Sequence, residues 1–193
     1  MNTQRSRLAL GAASLFFLPL LANAHPGHSA ATGWEDGFMH PLQGADHLVT
    51  MLLVGIWAAQ QRGRAVWAIP LSFVASMALG SAVGFTTTTF PGAETMIVLS
   101  VGVLLFLVAR RVRPNVLSSA VLVSFFAFFH GFMHGAEIPL GANPSTFVMG
   151  FVGATAFLHA AGWLGWRTAA LLGVLAKGVP RFFGTQLSRS ESH

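Results

Sequence analysis

The chain of 193 residues has no cysteine and little charge: 9% of its residues are Asp, Glu, Lys or Arg, and only six are acidic. The lack of cysteine excludes disulfides, thiolate metal sites and cysteine nucleophiles. Any metal ion must therefore be held by nitrogen and oxygen, with methionine sulfur as a weak addition. The basic excess, +5 with a sequence pI near 11.6, does not form a nucleic-acid face, because the few arginines stand in short groups between apolar runs. There is also no Walker A sequence or other nucleotide-binding motif, so the chain encodes no ATP-driven step. No internal duplication is evident.

What is present is apolar surface in long runs. Hydrophobic residues make up 53% of the chain and mean hydropathy is +0.63, a membrane-protein composition. At the N-terminus, Arg5 and Arg7 precede an apolar stretch at 8–21 that ends in Ala22-Asn23-Ala24. This three-part pattern predicts a signal peptide over 1–24, since the stretch falls short of the roughly 20 residues a span needs. Cleavage after Ala24 leaves His25 as the mature N-terminus, followed by an external segment, 25–37, containing HPGH. Five apolar segments follow at 38–60, 65–85, 93–112, 115–135 and 144–165. Their unbroken apolarity excludes a barrel's alternation and predicts helices. A further apolar run at 168–176, soon interrupted by Lys177, Pro180 and Arg181, reads as a short sixth span with snorkelling ends or as an interfacial segment. The expected fold is an all-α polytopic membrane protein over 38–185, with five clear transmembrane helices, a short sixth and a polar tail at 186–193.

The loops orient it. Arg62 and Arg64 follow the first segment, Arg110, Arg111 and Arg113 the third, and Arg167 the fifth, while TTTTFPGAE and EIPLGANPS carry no basic residue. The positive-inside rule makes the arginine loops cytoplasmic and the mature N-terminus external, as expected in a bacterial cytoplasmic membrane.

Ionisable residues inside a membrane are costly and tend to mark function. In HPLQGADH, His40 and His47 are seven residues and two helical turns apart and nearly on one face, with Asp46 about 100° from His47. The helix enters from outside near Phe38, so Asp46 lies about 12 Å in at 1.5 Å per residue. In FHGFMHGAE, His130, His134 and Glu137 form an i, i+4, i+7 stripe. If the two helices touch, the stripes meet at one depth. Imidazole with carboxylate suits Ni, Co, Zn or Mn rather than Mg or Ca. Gly44, Gly131 and Gly135 either thin the helices for a passing substrate or allow close packing. His159 stands deeper, as an inner relay or as a hydrogen-bonded packing residue. His25, with its terminal amine, and His28 either collect metal or form a stub without function.

Together these stretches resemble the HupE/UreJ family of nickel and cobalt permeases. HPLQGADH is similar to that family's His-x5-Asp-His motif, FHGFMHGAE to its Phe-His-Gly-x-x-His-Gly-x-Glu motif, and ATAFLHAAG to its fifth segment. The resemblance implies that His40, Asp46, His47, His130, His134 and Glu137 serve transport. It also implies a cleaved signal and six helices, from which the charged C-terminal segment departs.

The leading expectation is a permease for a divalent transition metal, Ni²⁺ first and Co²⁺ second. The ion is its substrate, and no cofactor or nucleotide is expected. A cytoplasmic metallochaperone or metalloenzyme maturation system is the expected recipient. The same residues would also suit a membrane-embedded zinc hydrolase, with three histidines on Zn²⁺ and Asp46 or Glu137 activating water. A haem carrier would need paired axial ligands.

Overall fold

The computed structural model describes residues 33–87, 89–139 and 141–178. The cleavage site after Ala24, His25 and His28, and the tail at 186–193 lie outside the described residues. Six helices make up the described fold: α1 Trp34–Gln43, α2 Ala45–Gln60, α3 Ala65–Thr86, α4 Ala93–Arg110, α5 Val116–Ala136 and α6 Pro144–Gly178. Four contain stretches long and apolar enough to cross a bilayer, namely α3, α4, α5 and Pro144–Val174 of α6, and the pair α1 and α2 makes a fifth if taken as one span. The exposed side chains fit that reading: Trp67, Leu71, Leu79, Phe106 and Leu117 are all more than half exposed, forming an apolar exterior larger than a water-soluble monomer shows.

The first predicted segment is not one straight helix. It begins at Trp34, ahead of residue 38, and bends by 87° between α1 and α2. Pro41, which has no N–H to offer the preceding turn, is carried inside α1, and the break itself falls at Gly44. Gly44 leaves the helical region for an extended conformation (φ −91°, ψ 115°) and becomes the N-cap of α2, its carbonyl accepting from the Leu48 N–H at 2.9 Å. The shared face of His40 and His47, and the depth assigned to Asp46 from a straight helix, are therefore both corrected.

The last predicted segment changes too. The run at 168–176 is not a separate sixth helix but the continuation of α6, 35 residues in all. That is about 52 Å at 1.5 Å per residue, well beyond a hydrocarbon core of about 30 Å.

Small residues set the packing. On α3 and α5, Gly80 lies against the Phe128 carbonyl and Gly84 against that of Phe132, while Gly131 lies against the Met77 carbonyl and Gly135 against that of Ser81. A methyl group at any of the four would collide with backbone. Serines reinforce the pair: Ser76 Oγ donates to the Ser124 carbonyl at 2.6 Å, and Ser124 Oγ to that of Ser72 at 3.4 Å. These are the devices that hold helices together where lipid supplies no hydrophobic drive. On α6, Gly150 admits α1 at Trp34 and Gly162 admits α2 at Leu52, so the bent pair leans on one long helix at two places.

The arginine-bearing loops share one end of the bundle. Trp57 Nε1 donates to the Val112 carbonyl at 2.9 Å and Gln61 Nε2 to the same carbonyl at 3.3 Å. The Arg111 guanidinium lies 5.3 Å from the Trp166 ring and that of Arg167 5.4 Å from Trp163.

Candidate metal site

The glycines beside the histidines aim the site. In FHGFMHGAE a glycine succeeds both His130 and His134, and those glycines, Gly131 and Gly135, seat α5 on α3. Because that contact fixes the rotation of α5, the histidines about 100° away point elsewhere. Both are completely buried, and the close-packing role of Gly131 and Gly135 is the one the structure supports. Opposite them, the bend at Gly44 brings His40 and His47 to two sides of His134. The ring centroids of His40 and His134 are 4.9 Å apart, those of His47 and His134 4.5 Å, and those of His47 and His130 4.9 Å. Helices α2 and α5 are not a closely packed pair; imidazole rings fill the gap between them.

The carboxylates complete the cluster. Glu137, the C-cap of α5, accepts from His40 Nε2 at 3.0 Å. One ligand atom from each of His40, His134 and Glu137 falls within 4.8 Å of the others, so three donors from two helices could converge on one ion. Asp46, in the first turn of α2, accepts through Oδ1 from both the backbone N–H and the ring Nδ1 of His47, each at 2.9 Å. A carboxylate oxygen can only accept, so Nδ1 carries a proton, and in the neutral ring Nε2 keeps its lone pair. Asp46 thereby orients His47, the usual relation of a carboxylate to a metal-binding imidazole. A side chain at Gly44 would press on this pair, its Cβ standing 3.2 Å from both Asp46 Oδ1 and His47 Nδ1.

All six predicted residues therefore come together. Exposure grades inward from 46% for Glu137 and 31% for His40 to 13% for His47 and none for His134 and His130, while Asp46, beside His47, is 33% exposed. The cluster opens at the bundle end away from the arginines and closes toward the interior. Among the described residues, four of its ring nitrogens, His47 Nε2, His130 Nδ1 and both nitrogens of His134, are buried without a hydrogen-bond partner. Each such atom costs about 1–3 kcal/mol unless something satisfies it.

His159 stands apart. It is buried, neither ring nitrogen has a partner among the described residues, and the Phe73 ring is in reach of both it and the cluster, 5.9 Å from His130 and 5.1 Å from His159. Sequence reasoning passed over Phe73, the Phe151 ring stacked 4.9 Å from His134, and Ser100, whose Oγ is 2.9 Å from His130 Nε2. Only Ser100 leaves a trace in the sequence, as a hydroxyl inside the apolar run IVLSVGVLL.

Comparison with known proteins decides the family. The family model described as HupE / UreJ protein matches residues 13–189, nearly the whole chain. The chain belongs to the HupE/UreJ family. Protein HupE of Rhizobium leguminosarum bv. viciae is 41% identical to it over 145 residues, 75% of each chain. No solved structure matches. HupE/UreJ proteins are metal transporters and not enzymes, with the metal ion as substrate and no cofactor, so the zinc-hydrolase reading is set aside. The HupE/UreJ assignment and the helices long enough to span a bilayer agree on a multi-pass protein of the inner membrane.

Proposed function

We propose that this chain admits Ni²⁺, and with lower preference Co²⁺, into the cytoplasm by facilitated diffusion through the histidine and carboxylate cluster. The observation that carries this reading is the set of four buried imidazole nitrogens, gathered between α2 and α5, that have no partner among the described residues. A dication cannot cross hydrocarbon bare, so nitrogen and oxygen atoms must replace its water shell. Glu137 and His40 capture the ion at the exposed mouth, and His134 passes it to His47 and His130. His159, about 12 Å farther along α6 than Phe151 at helical rise, is the next donor inward. Histidine and carboxylate without thiolate bind firmly enough to select and weakly enough to release. An inward-negative potential drives entry with about 4.6 kcal/mol per 100 mV for two charges. A cytoplasmic metallochaperone or metalloenzyme maturation system receives the metal.

Two experiments bear on this. Asp46→Asn keeps an acceptor for His47 Nδ1 and removes the charge; Ni²⁺ uptake is expected to fall at least about tenfold at unchanged protein level, and full uptake would reduce Asp46 to a structural cap. Orientation follows from the arginine loops: a cysteine at Thr87 should react with an impermeant reagent from outside and one at Arg64 should not. The reverse labelling would put the mouth of the cluster in the cytoplasm.

A further inference from the structure

The atoms around Ser100 leave one assignment open to the hydroxyl proton. Ser100 Oγ is 2.6 Å from the Ile97 carbonyl oxygen, 2.9 Å from His130 Nε2 and 3.3 Å from Thr50 Oγ1. A hydroxyl has one hydrogen to give and two lone pairs to receive. A carbonyl oxygen has none to give, so the short contact to Ile97 takes the Ser100 proton. Ser100 must then accept in its other two contacts, from His130 Nε2–H and from the Thr50 hydroxyl. Ser100, Thr50 and His130 are fully buried, and among the described residues no other partner competes for the His130 ring, whose Nδ1 has none.

We infer that Ser100 is a positioning residue for the metal path: it holds His130 as the Nε2–H tautomer and thereby presents the Nδ1 lone pair to the passing ion. The inference rests on the transport reading above and adds a residue and an atom to it. It pairs with the arrangement at His47, where Asp46 takes the Nδ1 proton and leaves Nε2 as the ligating atom. Neighbouring imidazoles are thus set to opposite tautomers by a carboxylate on one side and a serine on the other. Each enters and leaves coordination without moving a proton inside a buried site. Thr50 lies one turn beyond His47 on α2, so the same pair of hydroxyls also links the helix of His47 to α4, which carries Ser100.

The tautomer can be read without metal. In purified full-length protein with ¹⁵N-labelled histidine, long-range proton–nitrogen spectra report which ring nitrogen is protonated, and the His130 signals are those lost in His130→Gln. The expected wild-type result is a proton on Nε2 and none on Nδ1; a proton on Nδ1 overturns the inference. Ser100→Ala should give a mixture of tautomers and raise the half-saturating Ni²⁺ concentration for proteoliposome uptake by about 10-fold to 100-fold, the usual cost of losing a partner behind a ligand. Ser100→Thr, which keeps the hydroxyl, should restore both. An unchanged tautomer and unchanged uptake in Ser100→Ala would also overturn it. If Ser100→Ala does not accumulate, the wild-type spectrum alone decides. Loss of uptake in His130→Ala with normal uptake in Ser100→Ala defeats this inference only, normal uptake in both removes His130 from the metal path and this inference with it, and no uptake by the wild-type protein defeats the transport reading.

Discussion

Replacing His134 by alanine is expected to bring Ni²⁺ uptake down to the level of liposomes without protein, a loss of about two orders of magnitude or more given that even a residue behind a ligand is worth 10- to 100-fold. His134 is the one ring that touches both halves of the cluster, 4.9 Å from His40 and 4.5 Å from His47 by ring centroids, and it shares a possible ion position with His40 and Glu137. Without it, the exposed mouth formed by His40 and Glu137 has no donor to pass an ion to. Alanine also removes the ring stacked on Phe151, so His134→Gln, which keeps more of the bulk, is the companion variant and should fail as well. Glu137→Gln should be milder, because Glu137 is 46% exposed at the entrance: a higher half-saturating concentration with a maximal rate closer to wild type. Uptake by both His134 variants at wild-type rate, with equal protein in the membrane, would leave the cluster without a role in transport.

The second large effect concerns folding. Gly131→Ala should destabilise the protein by about 3 kcal/mol or more, the upper range for overpacking, because the added methyl meets the backbone of Met77 and not a side chain that could turn aside. The same change at Gly165, on α6 with open space around it, should be neutral or slightly stabilising, since alanine favours helix over glycine by about 1 kcal/mol. Thermal unfolding of the two variants in detergent, beside wild type, measures this directly. Equal midpoints would mean that α3 and α5 are not held by close backbone approach, and that the glycines after His130 and His134 do not aim those histidines.

Much of this was legible in the sequence because lipid permits so little. Once backbone groups must be satisfied internally, an apolar run of about 20 residues without alternation has one outcome, and α3, α4 and α5 follow the predicted segments within a few residues. The stripe His130, His134, Glu137 needs only helical spacing, and it does converge with His40 and His47. What spacing could not supply was the path of the chain through HPLQGADH. Read as a continuous helix, those eight residues put His40 and His47 on one face; with Gly44 breaking it, they reach His134 from two directions. The run of α6 past Arg167 was hidden for a different reason: Trp163 and Trp166 carry the arginines over their rings, so a charge in the sequence was no helix end. Ser100 belongs to a third kind. Its meaning depends on three atoms from three helices, and no local pattern encodes them.

The central claim is that a divalent transition metal passes through this cluster down its electrochemical gradient, and it is tested most directly by ion flux into liposomes holding the purified chain, with an inside-negative potential and no nucleotide. The account predicts Ni²⁺ entry above that into empty liposomes and Co²⁺ entry next, with Ni²⁺ flux that declines when the potential is collapsed and disappears in His134→Ala; Zn²⁺ is run beside them. Flux of all three ions no greater than in empty liposomes, from protein shown to be folded and inserted, would contradict it.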